Sequence, residues 1–351
     1  MELALWIFLL ILGLAILVKG ADWFVDGSAG IAKKCKIPAL IVGLTIVAFG
    51  TSAPELCVSV ASAIGHSTDI AIGNVLGSNI VNILLILGLA ALFHNLPVKR
   101  NSLILDIPVL ILASGLLIGL GIWGNALQWW DGIVFVVIMV AYTTLLILKA
   151  RKSLRKEKEL EKSVPQGTLE EEPEEEEKPK GKIAAWYARM KEKTWFLVIL
   201  TVLGLGMVVG GGTLLVESAK WIAYYAADKV GLSHAEAERI VALTVVAIGT
   251  SLPELVTSVV AARKGETDIA VGNVIGSNLF NILLVAGVSS LVYPLPFSMD
   301  SNLIDALVAL GAVLLLYFLA LVNKKREIGK IGGVVMLACF VGYYVYLFVT
   351  L

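Results

Sequence analysis

Two stretches of this chain repeat each other 199 positions apart. Ala48-Phe49-Gly50-Thr51-Ser52-Ala53-Pro54-Glu55-Leu56 returns as Ala247-Ile248-Gly249-Thr250-Ser251-Leu252-Pro253-Glu254-Leu255. Gly73-Asn74-Val75-Leu76-Gly77-Ser78-Asn79-Ile80-Val81-Asn82 returns as Gly272-Asn273-Val274-Ile275-Gly276-Ser277-Asn278-Leu279-Phe280-Asn281. Each copy sets a glutamate, hydroxyls and amides within apolar sequence. In lipid such groups are costly unless they serve a polar pathway. A duplicated set suggests one ion site assembled from two halves.

The surroundings place these motifs at membrane depth. Of the 351 residues, 58% are hydrophobic, and the mean hydropathy of +0.87 is far above that of a soluble domain. Uncharged apolar runs recur at about 20 residues, the length a helix needs to cross a bilayer. The short alternating segments of a transmembrane barrel are not seen. The spacing predicts ten helices, near 3–31, 38–64, 70–93, 102–122, 128–149, 194–225, 237–263, 268–292, 302–322 and 331–350. The expected fold class is an all-α polytopic membrane protein. The first apolar run lacks a basic start and a small-residue cleavage site, so it is expected to stay as the first helix. Cys35, Cys57 and Cys339 have no metal-ligand spacing and read as packing residues.

Residues 1–149 form the first five-helix repeat, with its motif over 43–89, and residues 194–351 the second, with its motif over 242–288. An odd number of spans per half makes the second enter from the opposite side, so the repeats are inverted. Lys33, Lys34 and Lys36, Lys99 and Arg100, Arg151 to Lys156, Arg263 and Lys264, and Lys324 to Lys330 occupy alternate loops, while the intervening loops hold chiefly Lys229 and Arg239. The positive-inside rule makes the basic set cytoplasmic and both termini extracytoplasmic, in a multi-pass plasma-membrane protein. Residues 150–193 form a charged cytoplasmic linker. Its acidic block, 170–177, lacks the pattern of a calcium-sensing EF-hand loop and reads as solvated chain.

Within each motif the chemistry follows from the residue types. Pro54 and Pro253 cannot donate a helical hydrogen bond, so the second and seventh helices should break there. A break frees backbone carbonyls between Ala48 and Thr51, and around Ala247, to face a cavity. Glu55 lies one turn from Thr51 and Glu254 one turn from Thr250, with Ser52 and Ser251 between. Ser78 and Asn82 lie four apart on the third helix, as do Ser277 and Asn281 on the eighth. All these ligands are oxygens, which suit hard cations such as calcium or sodium, and two glutamates balance one divalent ion. Soft metals would want cysteine or histidine, which the motifs lack.

Other polar residues read as structural. Asn79 and Asn278 are helix–helix hydrogen-bonding groups. Asp69 and Asp268 are N-terminal caps. Asp106 and Asp305 have capping or interface roles, and Lys19 pairs with Asp22. Gly73, Gly77, Gly88, Gly272, Gly276 and Gly287 allow close helix approach. His66, His94 and His234 fall in loops. With no His-Glu-x-x-His motif and no histidine near the site to act as a base, the chain is not read as an enzyme.

At these motifs the chain resembles the calcium/cation antiporter superfamily, and within it the sodium/calcium exchangers of prokaryotic type. The resemblance covers everything except the central linker. It implies a site at the membrane centre between the second, third, seventh and eighth helices. Glu55 and Glu254 would bind calcium with the carbonyls of Thr51 and Thr250. Sodium would take the same glutamates with Thr51, Ser52, Ser78, Thr250, Ser251, Ser277 and the carbonyls of Ala48 and Ala247, while Asn82 and Asn281 would flank the middle position. It further implies three sodium ions exchanged for one calcium ion, and first and sixth helices that slide across the rest on glycine-smooth faces. Asn281 stands where the potassium-dependent branch carries an acid, which favours potassium independence. The expected function is sodium/calcium antiport by alternating access, with calcium/proton antiport as the alternative. The expected partners are the two ions and the lipid bilayer, with no cofactor and no nucleic acid, as a monomer or weak homo-oligomer.

Overall fold

The computed structural model describes residues 2–163, 187, 189–229, 247–299 and 302–350. The acidic block, His234, Arg239 and residues 237–246 of the seventh helix lie outside this set. Among the described residues the chain runs through Glu2–Lys34 (α1), then α2 in two arms, Ala39–Thr51 and Ala53–Ile64. It continues through Thr68–Phe93 (α3), Ser102–Gly124 (α4) and Trp129–Ser163 (α5). The second half holds Thr194–Lys229 (α6), α7 at Ala247–Gly249 and Leu252–Arg263, and Thr267–Val292 (α8), Asn302–Val322 (α9) and Lys330–Thr350 (α10). This is an all-α polytopic membrane protein of ten transmembrane helices in two inverted five-helix repeats. Large apolar side chains such as Leu112, Val202 and Phe318 are exposed on its outer faces, as lipid contact requires.

The two-fold relation is written into the connections. Leu96–Pro97 (β1) pairs with Glu327–Ile328 (β4), and Ala126–Leu127 (β2) with Leu295–Pro296 (β3), so each half lends one short strand to the other twice over. Left-handed backbone recurs in matched turns. His66 has φ 59° where Gly265 has φ 79°, and Asn125 has φ 53° where Arg326 has φ 54°. Glycine enters this region without penalty, so the second copy of the α2–α3 turn is the less strained.

The deep core is built on α3 and α8. Gly272 and Gly276 seat α8 directly on the first arm of α2: a Cβ on Gly272 would meet the Leu40 carbonyl at 2.7 Å, and one on Gly276 the Leu44 carbonyl at 2.8 Å. Around Gly73 and Gly77 no described atom lies within 4 Å of that position.

α1 and α6 form a separate antiparallel pair. A Cβ on Gly204 would stand 2.5 Å from the Phe24 nitrogen, one on Gly211 2.6 Å from that of Leu17, and one on Gly20 2.8 Å from that of Val208. Gly13, Gly20, Gly27, Gly204 and Gly211 therefore bring backbone against backbone within the pair, while Gly206 and Gly210 meet no described atom within 4 Å. The pair leans on the remainder at the breaks of α2 and α7. Leu205 packs where Gly50 has no side chain, Val216 where Gly249 has none, and Gly212 faces Pro253.

Three further expectations are corrected. The fifth helix continues to Ser163, well into the predicted linker. Asp69 and Asp268 are not caps. Ser67 and Glu266 hold those positions, with no side-chain cap bond, and the aspartates sit in the first turn, where the helix dipole favours negative charge. Asp268 also pairs with Lys99 of the other half. The three cysteines are exposed rather than packed. Lys19 does pair with Asp22, at 2.7 Å. Asp106 and Asp305 serve the interface within each half: Tyr142 on α5 donates to Asp106 at 2.9 Å, and Tyr343 on α10 donates to Asp305 at 2.7 Å.

Candidate cation-binding site

Two helix breaks and two π-turns shape the centre. The arms of α2 meet at 45°. Ser52 (φ −84°, ψ 4°) and Ser251 (φ −87°, ψ 5°) leave helical geometry in the same way. Pro54 and Pro253, lacking N–H groups, begin the second arms. That places Glu55 and Glu254 in first turns, at the positive end of a helix. α3 and α8 widen into π-helix at Val81–Leu87 and Asn281–Ala286, just where Asn82 and Asn281 stand. Such widenings are rare and recur at functional sites.

The polar side chains are buried and bonded across the halves. Glu55 and Glu254 are each 1% exposed. Ser52 donates to Glu254 Oε1 at 3.0 Å, and Ser251 reaches Glu55 Oε1 at 3.5 Å. The Thr51 hydroxyl meets Asn273 Oδ1 at 3.1 Å, and that of Thr250 meets Asn74 Oδ1 at 3.2 Å. The Asn82 amide donates to Asn278 Oδ1, and that of Asn281 to Asn79 Oδ1, both at 3.1 Å. Every bond across the centre thus occurs twice with the halves exchanged.

Besides the Asn278 Nδ2, the atoms these groups leave unpaired keep the same two-fold order. Oε2 of Glu55 and Glu254, Oγ of Ser78 and Ser277, and Oδ1 of Asn82 and Asn281 are buried without a hydrogen-bond partner among the described residues. They are six oxygens in three two-fold pairs. Buried acceptors are normally satisfied, because an orphan costs about 1–3 kcal/mol. A cation offers what all six lack.

The sequence profile of the sodium/calcium exchanger protein family matches residues 5–148 and 196–349. The sodium/calcium exchanger MaX1 of Methanosarcina acetivorans is 33% identical over 97% of this chain and 97% of its own length. The putative antiporter CaxA of Alkalimonas amylolytica is 36% identical over 97% of this chain and 98% of its own. The solved structure of the sodium-calcium exchanger NCX_Mj superposes with a TM-score of 0.74 at 31% identity, covering 99% of this chain and 98% of that one. The chain belongs to the sodium/calcium exchanger family.

Against that membership the residues singled out in the sequence fall as follows. Thr51 is bonded to Asn273, Ser52 to Glu254 and Glu55 to Ser251 across the halves, and Ser78, Ser277, Asn82 and Asn281 are buried beside α2 and α7 on α3 and α8. The carbonyl of Ala48 is not freed by the break. It accepts the Ser52 N–H at 3.0 Å and lies 3.4 Å from the Thr51 hydroxyl. Ala247 opens the described part of α7. Sequence reasoning missed the pairs that hold Asn74 and Asn273. Their amides donate to Ser59 and Ser258, each at 2.9 Å, and their oxygens take the threonine hydroxyls of the opposite half. Ser59 and Ser258 share the 199-residue offset, which is the signal that would have found them.

Proposed function

We propose that this member of the family exchanges sodium for calcium by alternating access at the centre of α2, α3, α7 and α8. The reading is carried by the six buried oxygens without partners, which include one oxygen of each of two glutamates. In this reading Glu55 and Glu254 bind calcium with the carbonyls of Thr51 and Thr250. Sodium ions are shared among the same glutamates, the hydroxyls of Thr51, Ser52, Ser78, Thr250, Ser251 and Ser277, and the carbonyls of Ala48 and Ala247, the Ala48 oxygen through the lone pair that its bond to the Ser52 N–H leaves over. Asn82 and Asn281 flank the middle position. Two carboxylates neutralise one calcium ion, whereas three sodium ions leave one net positive charge. Exchange then moves a charge worth about 2.3 kcal/mol per 100 mV. The amide at Asn281, rather than an acid, favours potassium independence. The basic loops face the cytoplasm and both termini face outward.

Access alternates as the α1–α6 pair moves against the other eight helices. Leu205 against Gly50 and Val216 against Gly249 would carry that motion into the two breaks beside the glutamates.

The test is radioactive calcium uptake into sodium-loaded proteoliposomes diluted into sodium-free medium, with and without potassium, and with a pH gradient replacing sodium. Uptake driven by sodium alone, accelerated by a membrane potential of one sign, is the expected result. Uptake driven only by protons would move the chain to calcium/proton antiport.

A further inference from the structure

Asn79 and Asn278 each hydrogen-bond one candidate ligand among the described residues, and the two bonds are reciprocal. Asn278 Oδ1 accepts the amide of Asn82, and Asn79 Oδ1 accepts the amide of Asn281, each at 3.1 Å. All four side chains are at most 3% exposed. Among the described residues the oxygens of Asn82 and Asn281 carry no partner, and the Asn278 amide nitrogen carries none either.

An asparagine amide has one accepting end and one donating end, nearly identical in shape. Either end of Asn82 would fit a site beside a cation, but only the oxygen is tolerated there. A fixed acceptor for the NH2 group decides which end is free. It also spares that group the cost of a buried orphan donor, about 1–3 kcal/mol. The acceptor comes from the other half of the molecule in both copies, so each half aims the amide of its partner.

We propose that Asn79 and Asn278 are positioning residues for cation transport. By holding the NH2 groups of Asn281 and Asn82, they present those residues' oxygens to the transported ion. This rests on the reading of the centre as the calcium and sodium site. The partners that orient a metal ligand typically contribute tenfold to a hundredfold in metal affinity.

The experiment is a double-mutant cycle on the full-length protein in detergent, reading calcium affinity by titration calorimetry in sodium-free buffer. Asn278→Leu should weaken calcium binding by about tenfold. In an Asn82→Leu background, where nothing is left to orient, it should cost less than about twofold. Asn278→Asp keeps an acceptor and should stay within a few-fold of the parent. Equal losses from Asn278→Leu in both backgrounds, or an aspartate variant as weak as the leucine variant, would overturn the proposal. If Asn278→Leu does not fold, the same cycle on Asn79 and Asn281 measures the equivalent coupling from the other half. Glu254→Gln in the same assay distinguishes the two layers of argument: unaltered calcium affinity there would remove the site itself, whatever the asparagines do.

Discussion

The centre of the molecule and the ends of its α1–α6 pair were built from the same duplication, yet only the centre has kept it in full. At the centre each donor and acceptor across the halves has a counterpart with the roles exchanged, as in an isologous dimer interface. In the α1–α6 pair the glycine contacts run through both helices, but the ion pairs do not match. Lys264 binds Asp22 and Asp26 of α1, at 2.5 and 2.8 Å, and Lys191 reaches Asp26 at 2.6 Å. At the corresponding places of the other half, Gly65 stands where Lys264 does, and Glu217 pairs with Lys220 of its own helix at 2.7 Å. The contrast separates two duties. In the proposed exchange, an ion crossing from either side would meet the same ligands in reverse order, which a two-fold site provides. The two membrane faces are different environments, so contacts that favour one access state over the other gain nothing from symmetry.

The largest effects belong to the symmetric region and should be equal. Removing one charge from a buried, compensated set costs about 3–5 kcal/mol, so Glu55→Gln and Glu254→Gln should each lower calcium uptake by about a hundredfold or more. Both variants should remain folded, as judged by size-exclusion chromatography. Normal flux in either would mean that the two glutamates do not share one site.

Next come the contacts between α1 and α6. Gly204→Leu places atoms where the Phe24 backbone already stands, 2.5 Å from the first of them. Overpacking of this kind costs about 1–3 kcal/mol, and backbone yields less readily than a side chain. Thermal unfolding in detergent should show the loss. Gly206→Ala, with no described atom within 4 Å of its Cβ, should instead stabilise by up to about 1 kcal/mol through helix propensity. Equal destabilisation by both would mean that the glycines of α6 do not divide into contact and open positions.

The aspartate–tyrosine pairs give an effect of comparable size but unequal between the halves. Asp106 is 2% exposed, whereas Asp305 is half-buried and can recruit water. Tyr142→Phe leaves a buried carboxylate short of a donor, at about 1.5–3 kcal/mol, and Tyr343→Phe should cost less than half of that. Equal shifts in unfolding temperature would show that burial does not distinguish the two pairs.

Much of this was legible in the sequence, for identifiable reasons. Runs of about 20 apolar residues must be helices in lipid, because no other open structure satisfies its backbone there. The 199-residue register then aligns Glu55 with Glu254 and Asn82 with Asn281 before any contact is known. What stayed hidden depends on how helices cross. Helical spacing turns Asn79 away from Ser78 and Asn82, and nothing local shows that it meets Asn281 instead. The carbonyl of Ala48 looks free in the sequence because proline removes a donor, but the acceptor that loses it is Gly50, four residues before Pro54. The extension of α5 to Ser163 was hidden by its charge. Lys, Arg, Glu and Leu are good helix formers, so a charged run only shows that the helix has left the bilayer.

The smallest effect tests the asymmetric ends. Lys264, Asp22 and Asp26 keep 27%, 33% and 18% of their side-chain surface exposed, so water and salt screen each pair. Their joint contribution should then be about 1 kcal/mol, a several-fold bias in the balance of access states. Lys264→Gln should release the end of α1 from the loop between α7 and α8. Amide hydrogen exchange over residues 20–34 should rise several-fold, and high salt should reproduce part of the rise in the unaltered protein. Lys220→Gln removes a pair that lies within one helix and ties nothing to the remainder, so exchange in α6 near Glu217 should change by less than about twofold. If both substitutions loosened their ends alike, the unequal ion pairs would carry no bias. The preference between access states would then have to reside in the packing of Leu205 on Gly50 and Val216 on Gly249, where α6 meets both breaks.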